Sequence, residues 1–152
     1  MKKTSPGRKW FLFLLLFLSC GIQYGYAGSL EDDILKYTNE YRRSQGKPAL
    51  QTDDAAAAQA AQHSRNMAKG KTAFGHDGFQ ERVDAVSRKS GPVSAAAENV
   101  AYGQLDAEQV VKGWIKSKVH RKNMLGNYNR IGIGTARNRD GTLYFTQLFV
   151  KI

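Results

Sequence analysis

One cysteine, three prolines and two tryptophans in 152 residues narrow the possible architectures. A lone thiol cannot close an internal disulfide, and it excludes a zinc site built on several thiolates. A bilayer-spanning helix needs ~20 apolar residues in succession. The longest apolar run, Trp10 to Leu18, has nine, and at ~1.5 Å per residue it would reach only ~14 Å as a helix. Familiar catalytic motifs are missing too: there is no G-x-S-x-G elbow, no H-E-x-x-H helix and no phosphate-cradling glycine loop. Acidic residues are the scarcer charge, 13 Asp and Glu against 23 Lys and Arg, for a net charge of +10.

Part of that charge sits in the first segment. Lys2, Lys3, Arg8 and Lys9 precede the apolar run, and Gly25-Tyr26-Ala27 follows it. This is the order of a secretory signal: basic head, apolar centre, small residues at a cleavage site. The expected domains are therefore a signal peptide over 1–27 and a single mature domain over 28–152. Removing four of the 23 basic residues leaves 19 against 13, a charge of +6. Such a balance favours anionic surfaces. Nucleic acid is not an expected partner, because no basic stripe interleaves with aromatics. Cys20 falls in the leader, so the mature domain must hold together by packing. An alternative is cleavage before Cys20 and a lipoprotein anchor there, since Leu18-Ser19-Cys20 partly resembles a lipobox.

Within the mature chain, Ser29 can cap a helix over 31–45, with Ile34, Leu35, Thr38 and Tyr41 along one stripe. Thr52 can cap a second helix ending before Gly70. Its Ala57, Ala60, Ala61, Ser64, Met67 and Ala68 form a flat face that lets another element approach closely. Residues 71–78 read as a loop, Phe79–Lys89 as a short helix and Asn99–Tyr102 as a strand. Asp106 caps a helix carrying Val110, Val111 and Trp114, and 118–125 continue as helix or turn. Arg130–Ala136 and Thr142–Val150 flank Asn138-Arg139-Asp140-Gly141, a hairpin turn with glycine where a positive φ is affordable. Both faces of the last strand carry apolar residues, which predicts a sheet covered on both sides. The fold class is α+β.

Three histidines and one glutamate are candidates for chemistry. His76 projects from the Gly-bounded loop Phe74-Gly75-His76-Asp77-Gly78, Glu98 opens a strand, and His120 follows Ser117 by three residues. If that helix continues, Ser117 and His120 share a face. Two imidazoles and a carboxylate suit a divalent ion such as zinc. Lys116, Lys118, Arg121 and Lys122 around His120 disfavour a further positive charge and keep its ring neutral, able to ligate. His63 reads as a packed or surface histidine. A Ser117–His120–Glu98 triad can be written, but Ser117 on a helix lacks the strained turn and oxyanion donors of acyl transfer. No catalytic residue is assigned.

The order HSRNMA (63–68), FGHDG (74–78), AENVAYG (97–103), GWIKSKVHRKNML (113–125), IGIGTA (131–136) and YFTQLF (144–149) resembles the CAP superfamily. This is the group of cysteine-rich secretory proteins, antigen 5 and pathogenesis-related 1 proteins, also called SCP domains. The similarity is greatest to its short, disulfide-free bacterial branch and covers about residues 30–152. It implies a three-layer α-β-α sandwich with a central antiparallel sheet and an open cleft. The family's cleft tetrad falls on His76, Glu98, Ser117 and His120, with Asn99 in support. Ser117 stands where the family has a second glutamate, and Ala97 replaces the usual glycine before Glu98.

The resemblance implies a secreted, monomeric binding module for a lipid, sterol or cell-envelope ligand, with a divalent cation held weakly by His76, His120 and Glu98. The alternative is a metal- or serine-dependent hydrolase, a protease or cell-wall hydrolase, using the same cleft. The family tetrad does not by itself imply an enzyme.

Overall fold

The computed structural model describes Met1, residues 28–103 and residues 106–152. The remainder of the expected leader, with Cys20, lies outside the described residues. Among the described residues, five helices and four strands follow in the order α1 (Leu30–Ser44), β1 (Gln51–Thr52), α2 (Asp54–Ala68), α3 (Phe79–Ser90), β2 (Ala95–Gly103), α4 (Ala107–Lys116), α5 (Lys118–Met124), β3 (Arg130–Arg137) and β4 (Leu143–Lys151). No helix among the described residues is long and apolar enough to cross a membrane.

The sheet runs β1-β3-β4-β2. Its three long strands are antiparallel, as expected, with Glu98 opposite Leu148 and Gly134 opposite Thr146. The sheet is nevertheless mixed, because β1 pairs parallel with β3. Two residues are too few to show an alternating pattern, so β1 had no signature in the sequence. It is held from outside itself: Asn39 brackets Leu50 with two hydrogen bonds, and Asp53 N–H donates to Ile131 O at 3.0 Å. The α2 cap is correspondingly Asp53 rather than Thr52, its carboxylate accepting from Ala56 N–H.

The alternation of β4 sends its side chains into two cores. Phe145 and Phe149 pack with Ile34, Trp114, Met124 and Ile131 beneath α1, α4 and α5. Leu148 and Val150 pack with Ala56, Ala60, Val83 and Val86 beneath α2 and α3. This gives the α-β-α sandwich. The two faces of β3 differ in character. Ile131 and Ile133 fill the first core, while Gly132 and Gly134 let α2 lie on the sheet almost backbone to backbone. A Cβ at Gly132 would overlap the Ala56 carbonyl, and one at Gly134 would overlap Ala61 N. Ser64 closes the seam, its Oγ 2.8 Å from both Gly134 O and Thr146 Oγ1.

Arg42 fastens the first layer to the site-bearing segment. It is buried on α1 and donates to the carbonyls of Pro48, Met124 and Gly126. Burial lowers its pKa from the usual arginine value. These bonds tie α1 to the chain leaving α5, where the carbonyls would otherwise be unsatisfied.

Gly134→Ala forces α2 off the sheet and is expected to cost about 3 kcal/mol. Chemical denaturation checks this against Gly113→Ala on exposed α4, where a Cβ meets nothing within 4 Å and a small gain is expected.

Candidate functional site

The Phe74–Gly78 loop needs glycine at two places, Gly75 (φ +151) and Gly78 (φ +75), the second serving as the N-cap of α3. The turn is closed by Phe79 N–H donating to His76 O at 3.0 Å. This conformation aims His76 at β2, where its Nδ1 lies 2.9 Å from Glu98 Oε1. The carboxylate accepts, so Nδ1 carries the proton of this bond and Nε2 is the ring nitrogen left outside it. The His76 side chain is about half exposed (52%), whereas that of Glu98 is only 2% exposed.

A charge this deeply buried requires a partner. Arg82 supplies it with a two-pronged contact, Nε to Oε2 at 2.8 Å and Nη2 to Oε1 at 2.7 Å. The same guanidinium donates to Asp77 O at 2.8 Å, so one side chain joins α3, the loop and β2. Arg82 was not among the sequence candidates. Its signal was positional: Phe79, Arg82, Val83 and Val86 form one inward stripe, which places an arginine on a buried face.

His63, open in the sequence to a packed or a surface place, is packed. Its Nε2–H donates to Gly75 O at 2.8 Å and stands 3.8 Å from Glu98 Oε1. It therefore anchors the loop that carries His76 from beneath. Burial, above all, lowers its pKa, and the nearby Arg82 acts in the same direction.

His120 arrives from the opposite layer. Helix α4 stops at Ser117, whose backbone is extended (ψ 121°), and α5 begins anew. Ser117 and His120 therefore do not share the face of one continuous helix. Ser117 Oγ instead caps α5 by accepting from His120 N–H at 3.5 Å. Asn99 holds α5 against the sheet edge, donating to His120 O and to Gln147 Oε1, while Asn123 donates to Glu98 O and Asn99 Oδ1. The His120 ring is half-buried, and its pKa is lowered first by burial and second by the charge of His76.

The structure thus joins His76 and Glu98 directly, while Asn99 and Asn123 tie α5, through the His120 and Glu98 backbone carbonyls, to the strand that carries Glu98. A cavity of about 270 Å³ opens between His76, Phe79, Ala96, Ala97, Glu98 and Asn123; His120 is not in its lining. No three His, Cys, Asp or Glu side chains among the described residues converge as a metal group. The physical reason is that both Glu98 oxygens are taken by Arg82 and His76. Glu98 stands behind His76 as a carboxylate that orients its ring.

The family model for the cysteine-rich secretory protein family, CAP, matches residues 35–149. The chain belongs to this family. Within it, the domain is 34% identical over 123 residues to the Bacillus subtilis protein YkwD, covering 79% of this chain and 46% of that protein. It is 33% identical over 124 residues to the Bacillus subtilis membrane protein YlbC, covering 80% and 34%. The CAP domain described here therefore spans less than half of either relative. Among solved structures, an extracellular SCP-domain protein of Bacillus anthracis superposes with a TM-score of 0.67 at 28% identity, covering 81% of this chain and 40% of that one. An outer surface protein of Borrelia burgdorferi superposes at 0.66, with 20% identity and coverage of 82% and 96%. The latter likeness is one of fold.

Replacing Arg82 with methionine strands the Glu98 carboxylate in the interior, and unfolding by denaturant should show a loss of about 3–5 kcal/mol. The lowered pKa values of His63 and His120 mean that the unfolded chain binds more protons than the folded one as pH falls below about 6.5. Their contribution is complete above that pH and is lost progressively below it. The melting temperature should decline from pH 7 to pH 5, and less steeply in His63→Gln.

Proposed function

We propose that this CAP domain acts outside the cell as a binding module for a lipid, sterol or cell-envelope ligand, and that its cleft holds a divalent cation weakly. One observation carries the reading: Glu98 is fully engaged by Arg82 and His76, while the half-exposed His76 side chain lines the open cleft. A carboxylate so engaged is poorly placed to act as a general base. Ser117 Oγ is occupied as a helix cap and makes a poor nucleophile. What the cleft retains is an oriented imidazole, and with His120 this suits zinc or a similar ion bound by two neutral rings and water. An extracellular place is supported by the signal-like first segment and by the likeness to the extracellular Bacillus anthracis protein.

The hydrolase reading draws on the same His76–Glu98 hydrogen bond, since a carboxylate-oriented imidazole is also how a general base is held. It would require an ion-bound water as the attacking group.

Calorimetric titration with zinc should give weak binding at pH 7.5. The affinity should fall in His76→Ala and drop about 10–100-fold in Glu98→Gln, which loses the orienting carboxylate. It should also weaken as pH falls, because a protonated ring cannot ligate. Equal heats from the wild type and His76→Ala overturn the cation claim. Turnover of peptide, ester or murein substrates that disappears in Glu98→Gln would replace the binding module with the hydrolase.

A further inference from the structure

Exposed large apolar side chains are few among the described residues. Among the described residues the large ones are Met1, Phe74, Tyr102 and Val119, and two of these adjoin. The Phe74 ring meets Tyr102 edge-on at 4.8 Å, and Tyr102 stacks on Tyr144 at 5.8 Å. Tyr102 shares a pleat face with Glu98 and Val100, two steps along β2 from the cleft, and Tyr144 lies opposite it on β4. The row therefore leaves the His76 loop and crosses the sheet toward the β3–β4 hairpin. Phe74 is 48% and Tyr102 57% exposed, in a protein whose other aromatics on this sheet are buried or half-buried.

At that hairpin is a larger hollow, about 530 Å³, lined by Ala68, Lys69, Arg137, Asn138, Arg139 and Asp140. Tyr144 pairs with Ala136, the residue before Arg137, so the aromatic row and the hollow meet at one end of the sheet. Three cations and one carboxylate leave the lining positive. Among the described residues, none of Lys69, Arg137 and Arg139 has a carboxylate within salt-bridge distance. Nor do these cations serve to terminate α2, whose last carbonyls already accept from the backbone of Lys69, Gly70 and Lys71. Arg137 also donates to Gly141 O at the turn; cations without a carboxylate partner around a hollow at the end of a row of exposed rings suit a ligand with separated acid groups and flat apolar faces.

We propose that this end of the sheet is a second binding site, distinct from the His76 cleft, for an acidic polysaccharide. Its sugar rings lay their C–H faces on the electron-rich faces of Phe74, Tyr102 and Tyr144, and its acid groups enter the hollow between Lys69, Arg137 and Arg139. The hollow favours a threaded chain over a membrane: a flat anionic bilayer would touch its rim and leave its walls unused. The site rests on the binding-module reading and gives the envelope ligand a chemistry, but it does not depend on the cation.

The test is binding of the full chain to polygalacturonate, a uronic-acid polymer. It is run beside its methyl-esterified neutral form, inorganic polyphosphate and vesicles containing phosphatidylglycerol. Polygalacturonate should bind in a salt-dependent manner, and the neutral form poorly. Lys69→Gln with Arg139→Gln, and separately Tyr102→Ser, should each weaken binding about tenfold, with Tyr102→Phe restoring it. All three positions are exposed, and unchanged melting temperatures confirm that the variants fold. The proposal is overturned by no polygalacturonate binding at physiological salt, by equal binding of polyphosphate unaffected by Tyr102→Ser, or by a preference for vesicles. None of these outcomes alters the zinc titration, which reads the other site.

Discussion

The Glu98 side chain is almost wholly removed from water, and an acid in that position must be answered by donors at contact distance or expelled. Arg82 answers it on both oxygens and His76 on one. Because Arg82 also bonds the loop carbonyls, this buried pair settles more than its own charge. It fixes the separation of α3 from the sheet, the path of the Phe74–Gly78 loop, and the direction in which the His76 ring points. His63, donating to Gly75 O from below, removes the loop's remaining freedom.

That interaction changes the chemical character of the site. A free carboxylate between two imidazoles would be a ligand or a base. A carboxylate already bonded to a guanidinium is an orienting group for the imidazole in front of it. On the opposite layer, Ser117 and Asn99 serve geometry in a similar way: one caps α5, and the other binds that helix's backbone to the sheet edge. The site is thus built from residues that spend most of their hydrogen-bonding capacity on one another, leaving the His76 ring at the water boundary.

Much of the frame was legible in the chain because it depends on local periodicity. The stripe of α1, the alanine face of α2, the Gly141 turn and the two-sided alternation of β4 all follow from which residues fall on which side of a helix or strand. The small-residue face even carried the expectation of a close neighbour, though not that Gly132 and Gly134 would be that neighbour. Strand β1 escaped because two residues have no period. The break at Ser117 escaped because a serine suits a helix surface and a cap alike. Arg82 escaped because an arginine on an apolar stripe reads as a solvated charge until a buried acid is found opposite it.

The amino-acid order alone determined the α+β class, the placement of nearly every element, and the residue types available for chemistry, since these depend on neighbours within a few positions along the chain. Only the folded structure decided how those residues share their hydrogen bonds. Glu98 could be a ligand, a base or half of an ion pair so long as its partners were unknown, and those partners lie 16 and 22 residues away on other elements. Short-range pattern cannot reach across such distances; burial and packing bring the groups together, and there Arg82 and His76 take up the Glu98 carboxylate.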